Sequence, residues 1–219
     1  MPNPPSNLSL AGFTLCIDPG HQSVGNSDLE PIAPGSSTLK VQTSSGTYGR
    51  VTGVPEYKLN LAVSLLLQAE LESRGATVVM TRETNDVDLG NVDRAEIGNN
   101  AHADLVIRIH ADGSENPDVH GISVLVPSEK YVSKEIADQS RTAGDAIYQA
   151  LIEQTGAKGR GVVVRSDLTG FNWSEVPVVL VELGFMTNAG EDRRLQDRNY
   201  QISIVEGIVE GIREYLIHE

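Results

Sequence analysis

His21, Glu56 and His110 are of the residue types that hold a catalytic zinc ion. Such an ion takes three protein ligands and keeps one position open, and two imidazoles with one carboxylate form an established set for amide hydrolysis. His21 lies just past the first strand-like run, Glu56 just before the first helix, and His110 at the end of an apolar run. Strand ends are where sheet-and-helix folds place their functional groups. Spacing alone does not separate this reading from three unrelated surface side chains. Glu182 closes the run Val178-Val179-Leu180-Val181, and a carboxylate there is costly to bury unless paired or bound. That makes it a candidate general base; the plain alternative is a glutamate capping the next turn.

These residues need elements to position them. Short β-rich runs alternate with longer amphipathic ones, the pattern of an α/β fold with a mainly parallel, twisted sheet of about six strands and helices on both faces. Strands are expected at 14–18, 77–81, 105–110, 121–127, 161–165 and 177–182. Helices are expected at 57–73, where Leu61, Leu65, Gln68 and Leu71 advance at helical spacing, and at 89–101, 133–155, 190–196 and 200–216. The polar stretch 22–55 is long for a loop and reads as a functional rim or a mobile insertion.

With 219 residues, 39% of them hydrophobic, the chain suits one domain, set at 12–219 behind a linker-like segment 1–11. A net charge of −13 and a pI near 4.8 argue against nucleic-acid binding and give no attraction to anionic membranes. No apolar run approaches the roughly 20 residues of a membrane span, and the start lacks the basic region of a signal peptide. The single cysteine, Cys16, excludes an internal disulfide and a thiolate zinc site, and reads as a small buried strand residue.

Other candidates have plain explanations. His102 and His218 read as exposed bystanders, and His120 as a loop residue bordering the cleft at most. Asp18 either supports a ligand or stabilises the Asp-Pro-Gly turn, and Asp112 is similarly ambiguous. Arg94 suits a structural ion pair. Arg165, Asn172 and Trp173 fall in a region that either touches glycan or peptide or, for Trp173, packs beneath the loop.

Ile-Asp-Pro-Gly-His (17–21), the helix start from Glu56, Arg-Ile-His-Ala-Asp (108–112) and Val-Glu-Leu-Gly-Phe-Met-Thr-Asn (181–188) occur in one order. Together with the linking stretches 74–82 and 94–99, they make the chain resemble the zinc-dependent N-acetylmuramoyl-L-alanine amidases of type 3, from about Thr14 to Tyr215. The resemblance implies zinc ligands at His21, Glu56 and His110 and a catalytic carboxylate at Glu182. It implies cleavage of the bond between N-acetylmuramic acid and L-alanine in peptidoglycan. The expected setting is then extracellular or at the cell wall, with a separate wall-targeting domain or activator as a possible partner.

The chain departs from the family pattern in two places. Gln22-Ser23 replaces the usual Gly-Gly after the first ligand, and the segment between His21 and Glu56 is longer. The inhibitory helix that some relatives insert after the third ligand's strand has no room between Asp112 and His120. Two rival readings remain: a zinc peptidase acting within the stem peptide, and a catalytically silent wall-binding module. His-Glu-x-x-His, Gly-x-Ser-x-Gly and the glycine-rich nucleotide motifs are absent.

Overall fold

The computed structural model describes residues 9–217. His218 and most of the expected leading linker lie outside them, but Leu10 is fully buried in the core and its amide donates to the carbonyl of Arg74. Packing therefore starts ahead of the expected boundary at residue 12.

Strands β1 (Thr14–Pro19), β4 (Thr77–Met80), β5 (Leu105–Asp112), β6 (Ile122–Pro127), β7 (Gly159–Arg165) and β8 (Val178–Phe185) form one sheet in the order β4-β1-β5-β8-β6-β7. The first four of that order run parallel; β6 is antiparallel to β8, and β7 is parallel to β6. Helices α1 (Glu56–Ser73), α3 (Lys134–Thr155) and α6 (Arg198–Ile217) cover one face through Leu59, Val63, Ile147 and Ile208. On the other face Phe171 of the short helix α4 (Thr169–Asn172) packs with Val106 and Leu180, and Ile97 of α2 (Asn91–Asn100) packs against them. Helix α5 (Ala189–Leu195) follows β8.

Side-chain alternation along the strands decides which residues reach the site. Ile107 and Ile109 point into the larger core, while Val106 belongs to the smaller one. Arg108 and His110 continue that second face, as Glu182 continues from Val178 and Leu180. The second face thus starts apolar and turns polar toward the ends of the parallel strands.

Three expectations are corrected. The stretch 22–55, read as a functional rim or a mobile insertion with no strands of its own, carries an antiparallel hairpin of β2 (Asn26–Pro31) and β3 (Leu39–Thr43). Its polarity hid it, because the hairpin packs by hydrogen bonds to the domain. Helix α4 was not foreseen, being a single turn. β8 runs through Glu182 to Phe185, so Glu182 lies within a strand, paired with His110, just before a register shift. No helix among the described residues is long and apolar enough to cross a membrane. Burial pushes the Cys16 thiol up to about 12, as suits an unreactive core residue.

Asp18 is buried at the end of β1 and accepts from Arg94 at 2.7 Å, Arg108 at 2.8 Å and Thr81 at 2.6 Å. Burial alone would raise its pKa; Arg94 and Arg108 outweigh it and hold the carboxyl far below the usual range. The native state therefore binds fewer protons than the unfolded chain at acid pH. The stability Asp18 contributes is fully present above about pH 4 and falls as pH drops below it. Asp18→Asn leaves two buried guanidiniums short of their counter-charge. It is expected to cost about 3–5 kcal/mol and lower the thermal midpoint by roughly 6–20 °C at neutral pH, with a smaller deficit at pH 3, checked by calorimetry.

Candidate metal centre

The three expected ligands converge. His21 Nε2 lies 3.1 Å from Glu56 Oε1, and His110 Nδ1 lies 3.3 Å from the same oxygen. All the ligand atoms lie within 4.8 Å of one another, the one such group among the described residues. Ligands around a tetrahedral zinc stand roughly 3.3 Å apart, so the gap has the size of an ion.

Each ligand is fixed by backbone. His21 sits in the left-handed region at φ 61°, a conformation that a non-glycine residue adopts at a cost. The turn is held by arginines: Arg82 donates to the carbonyls of Pro19 and Gly20, and Arg94 to those of Pro19 and His21. His21 Nδ1 donates to the Ser44 carbonyl at 2.9 Å, which turns Nε2 toward Glu56. Glu56 opens α1; its Oε2 accepts from the Thr47 amide and its Oε1 from Ala111 N and Asn60 Nδ2. Burial works against its charge, but hydrogen bonds from His110 and His21 outweigh it and hold the carboxyl well below its ordinary range.

Steric fit comes from two glycines. A Cβ on Gly20 would lie 2.3 Å from the His110 ring, and one on Gly46 would lie 2.5 Å from Glu56 Oε2. His110 is lowered to about 4, chiefly by burial, and so is neutral and able to ligate at pH 7. Its Nε2 is buried with no hydrogen-bond partner, as is Glu182 Oε2. Unpaired buried polar atoms are costly. His110 Nε2 lies against Gly20 while its Nδ1 meets Glu56, whereas the Glu182 carboxyl, opposite His110 in the sheet and lining the same cleft, is the orphan that suits a cation site. Glu182 is raised well above the usual range by burial and by the charges of Glu56 and Asp112, against which Arg165 acts.

A cleft of about 390 Å³ leads away from His21, His110 and Glu182, floored by Leu125 and Leu180. The hairpin is its roof, pinned along both strands. Trp173 Nε1 donates to Pro31 O, Asn172 to Ile32 O and Asn91 to Gln42 O, while Glu30 caps the first amides of α2. Asn172 and Trp173 therefore anchor the roof, and Arg165 lines the cleft. Asp18 holds Arg94 and Arg108 and contacts no ligand side chain; Asp112 caps the Gly113 amide. His102 and His120 are exposed. Gln22, one of the departures from the family pattern, is buried and accepts from Leu89 N and Arg94.

Ser44, Asn60, Arg82 and Arg108 went unremarked as single residues in the sequence. Asn60 is one helical turn from Glu56, and Arg108 is two residues before His110 on the same face of β5. Those spacings were the available signal.

Two imidazoles and a carboxylate around an ion-sized gap, with an unpaired acid alongside, form a group able to hold a metal ion. The relatives narrow that reading. The chain belongs to the type 3 N-acetylmuramoyl-L-alanine amidase family, whose profile matches residues 15–214. It is 27% identical over 214 residues to the N-acetylmuramoyl-L-alanine amidase Rv3717 of Mycobacterium tuberculosis, covering 95% of this chain and 88% of that one. It resembles the crystal structure of the amidase Ami1 from Mycobacterium smegmatis with a TM-score of 0.86 at 27% identity, covering 96% and 100% of the two chains. The apo form of Ami1 from Mycobacterium abscessus gives a TM-score of 0.85 at 29% identity, covering 94% and 100%.

Gly20→Ala is expected to displace the His110 ring and weaken metal affinity by about 10- to 100-fold, the range seen when support behind a ligand is disturbed. Competition with a chromogenic chelator measures it, and unchanged circular dichroism excludes general unfolding.

Proposed function

We infer that this enzyme hydrolyses the amide between the lactyl group of N-acetylmuramic acid and L-alanine, using zinc held by His21, Glu56 and His110, with Glu182 as its proton-transfer residue. Family membership supports the reaction. The observation that carries the site assignment is the convergence of the three donors beside a carboxyl whose buried Oε2 has no partner. A zinc ion there supplies Lewis-acid polarisation and makes water nucleophilic near neutral pH.

The chain's own groups do the rest. Glu182 takes a proton from the attacking water as the water oxygen bonds to the lactyl carbonyl carbon. It then delivers a proton to the alanine nitrogen as the carbon–nitrogen bond breaks. The products are a lactyl carboxylate on the glycan and a stem peptide with a free N-terminal L-alanine. Glu56 stays charged while Glu182 is easily protonated, so the two carboxyls divide ligation from proton transfer. Action on peptidoglycan places the enzyme's work at the cell wall, and we assign that work to the outer side of the membrane.

Glu182→Gln is expected to lower kcat by about 10²- to 10⁴-fold with zinc content unchanged. Chelation should abolish activity in the unsubstituted enzyme, and added zinc should restore it. Mass spectrometry of products released from peptidoglycan checks both. Cuts inside the stem peptide would instead identify a peptidase, and zinc-loaded protein that binds the wall without cutting it would identify a binding module.

A further inference from the structure

The chain carries a formal charge of −13, yet the cleft leading from Glu182 is lined by Lys40, Arg94, Arg108 and Arg165, with Glu182 the one carboxylate among its described lining residues. Two of those cations are committed inward, Arg94 to Asp18 and Arg108 to Asp18 and Asn91. Lys40 and Arg165 are not. They come from different elements, Lys40 from β3 in the roof and Arg165 from the end of β7, and meet at Asp167.

Asp167 fixes both. Arg165 donates through Nε and Nη2 to the two Asp167 carboxylate oxygens, each at 2.7 Å, and Lys40 Nζ donates to the Asp167 backbone carbonyl at 2.6 Å. A guanidinium has five N–H groups and an ammonium three, so these bonds use two of Arg165's and one of Lys40's. The Nη1 edge of the guanidinium and two ammonium hydrogens remain for a ligand. A side-on clamp of this kind orients the fork before anything binds, which reduces the ordering cost of binding.

We propose that Lys40 and Arg165 form a carboxylate subsite that selects stem peptides whose second residue carries a free α-carboxylate. The inference rests on the amidase reading above. In a peptidoglycan stem, L-alanine is followed by D-glutamate joined onward through its γ-carboxyl, which leaves the α-carboxylate one residue from the scissile bond. The cleft matches that order. Leu180 precedes Glu182 by two residues on β8 and pairs with Leu125 of β6, so these two leucines, which suit the alanine methyl and glutamate methylenes, adjoin the acid; Arg165 of β7 pairs with Pro127, two residues further along β6, and lines the same cleft with Lys40. Its volume of about 390 Å³ is that of a site for a small ligand segment. A carboxamide in place of the carboxylate would lose the charge-assisted bonds to the donors that Asp167 leaves open on the two cations.

The test uses two synthetic substrates, N-acetylmuramoyl-L-Ala-γ-D-Glu-L-Lys with the glutamate α-carboxyl free or as the carboxamide, and follows tripeptide release by liquid chromatography and mass spectrometry. The unsubstituted enzyme is expected to favour the free carboxylate by about 10- to 100-fold in kcat/KM. Arg165→Gln and Lys40→Gln should each move that ratio toward one. Because Arg165 also acts on Glu182, Arg165→Gln alters the rate on both substrates, and the ratio cancels that common effect. A ratio near one in the unsubstituted enzyme, or a full ratio retained in both variants, overturns the subsite while leaving the amidase intact. Release from neither substrate overturns the amidase reading and the subsite with it.

Discussion

Asp18 sits between the guanidiniums of Arg94 and Arg108 with almost no exposure, so one carboxylate ties the end of β1 to β5 and α2 by charge. Removing either sign alone would strand the other in a low-dielectric interior, where an unpaired charge is far costlier than an unpaired dipole. Arg94 also reaches the carbonyls of Pro19 and His21, and Arg82 reaches those of Pro19 and Gly20. The left-handed backbone at His21 is thus held from beneath. A histidine presented this way keeps its imidazole facing Glu56 because the turn cannot relax, and the metal centre inherits its shape from a charge cluster that contacts no ligand side chain.

The same low-dielectric edge separates the roles of the two acids. Glu56 is buried among donors that hold its pKa low; Glu182 is buried with an oxygen that has no hydrogen-bond partner, and burial raises its pKa. Their surroundings differ because of strand register. Glu182 lies opposite His110 on β8, where the neighbouring strand β6 has reversed direction. His110 and Glu182 are direct partners in the parallel β5–β8 pairing, which puts both side chains at one end of the sheet, just before the register shift.

The fold class and the larger elements were legible because they are written in hydrophobic period. The spacing of Leu61, Leu65, Gln68 and Leu71 marked a helix, though the stripe that faces the core is Leu59, Val63, Leu67 and Leu71 and Leu65 is exposed; Val178 to Val181 trace a strand buried on both faces. His21, Glu56 and His110 stood out by residue type, and the structure brings their side chains together, with Glu182 opposite His110 in the sheet. The hairpin was not legible. Leu39 and Val41 alternate with Lys40 and Gln42, but with Leu29 they are exposed, and the buried Glu30 satisfies backbone amides of α2, so the short apolar alternation marks no buried face. Trp173 was ambiguous for a related reason: an indole that packs and donates one bond looks the same in sequence whether its acceptor is a sugar or the carbonyl of Pro31.

Three of the bonds that pin that hairpin end on main-chain carbonyls, those of Pro31, Ile32 and Gln42. A carbonyl is present whatever residue carries it. The roof's outward positions can therefore drift through substitution with little effect on where the roof sits, so relatives could diverge in what they recognise without rebuilding the centre beneath. Placement and recognition are thus separable along these two strands: half-exposed Val41 lines the cleft, while the carbonyls that hold the roof belong to other residues.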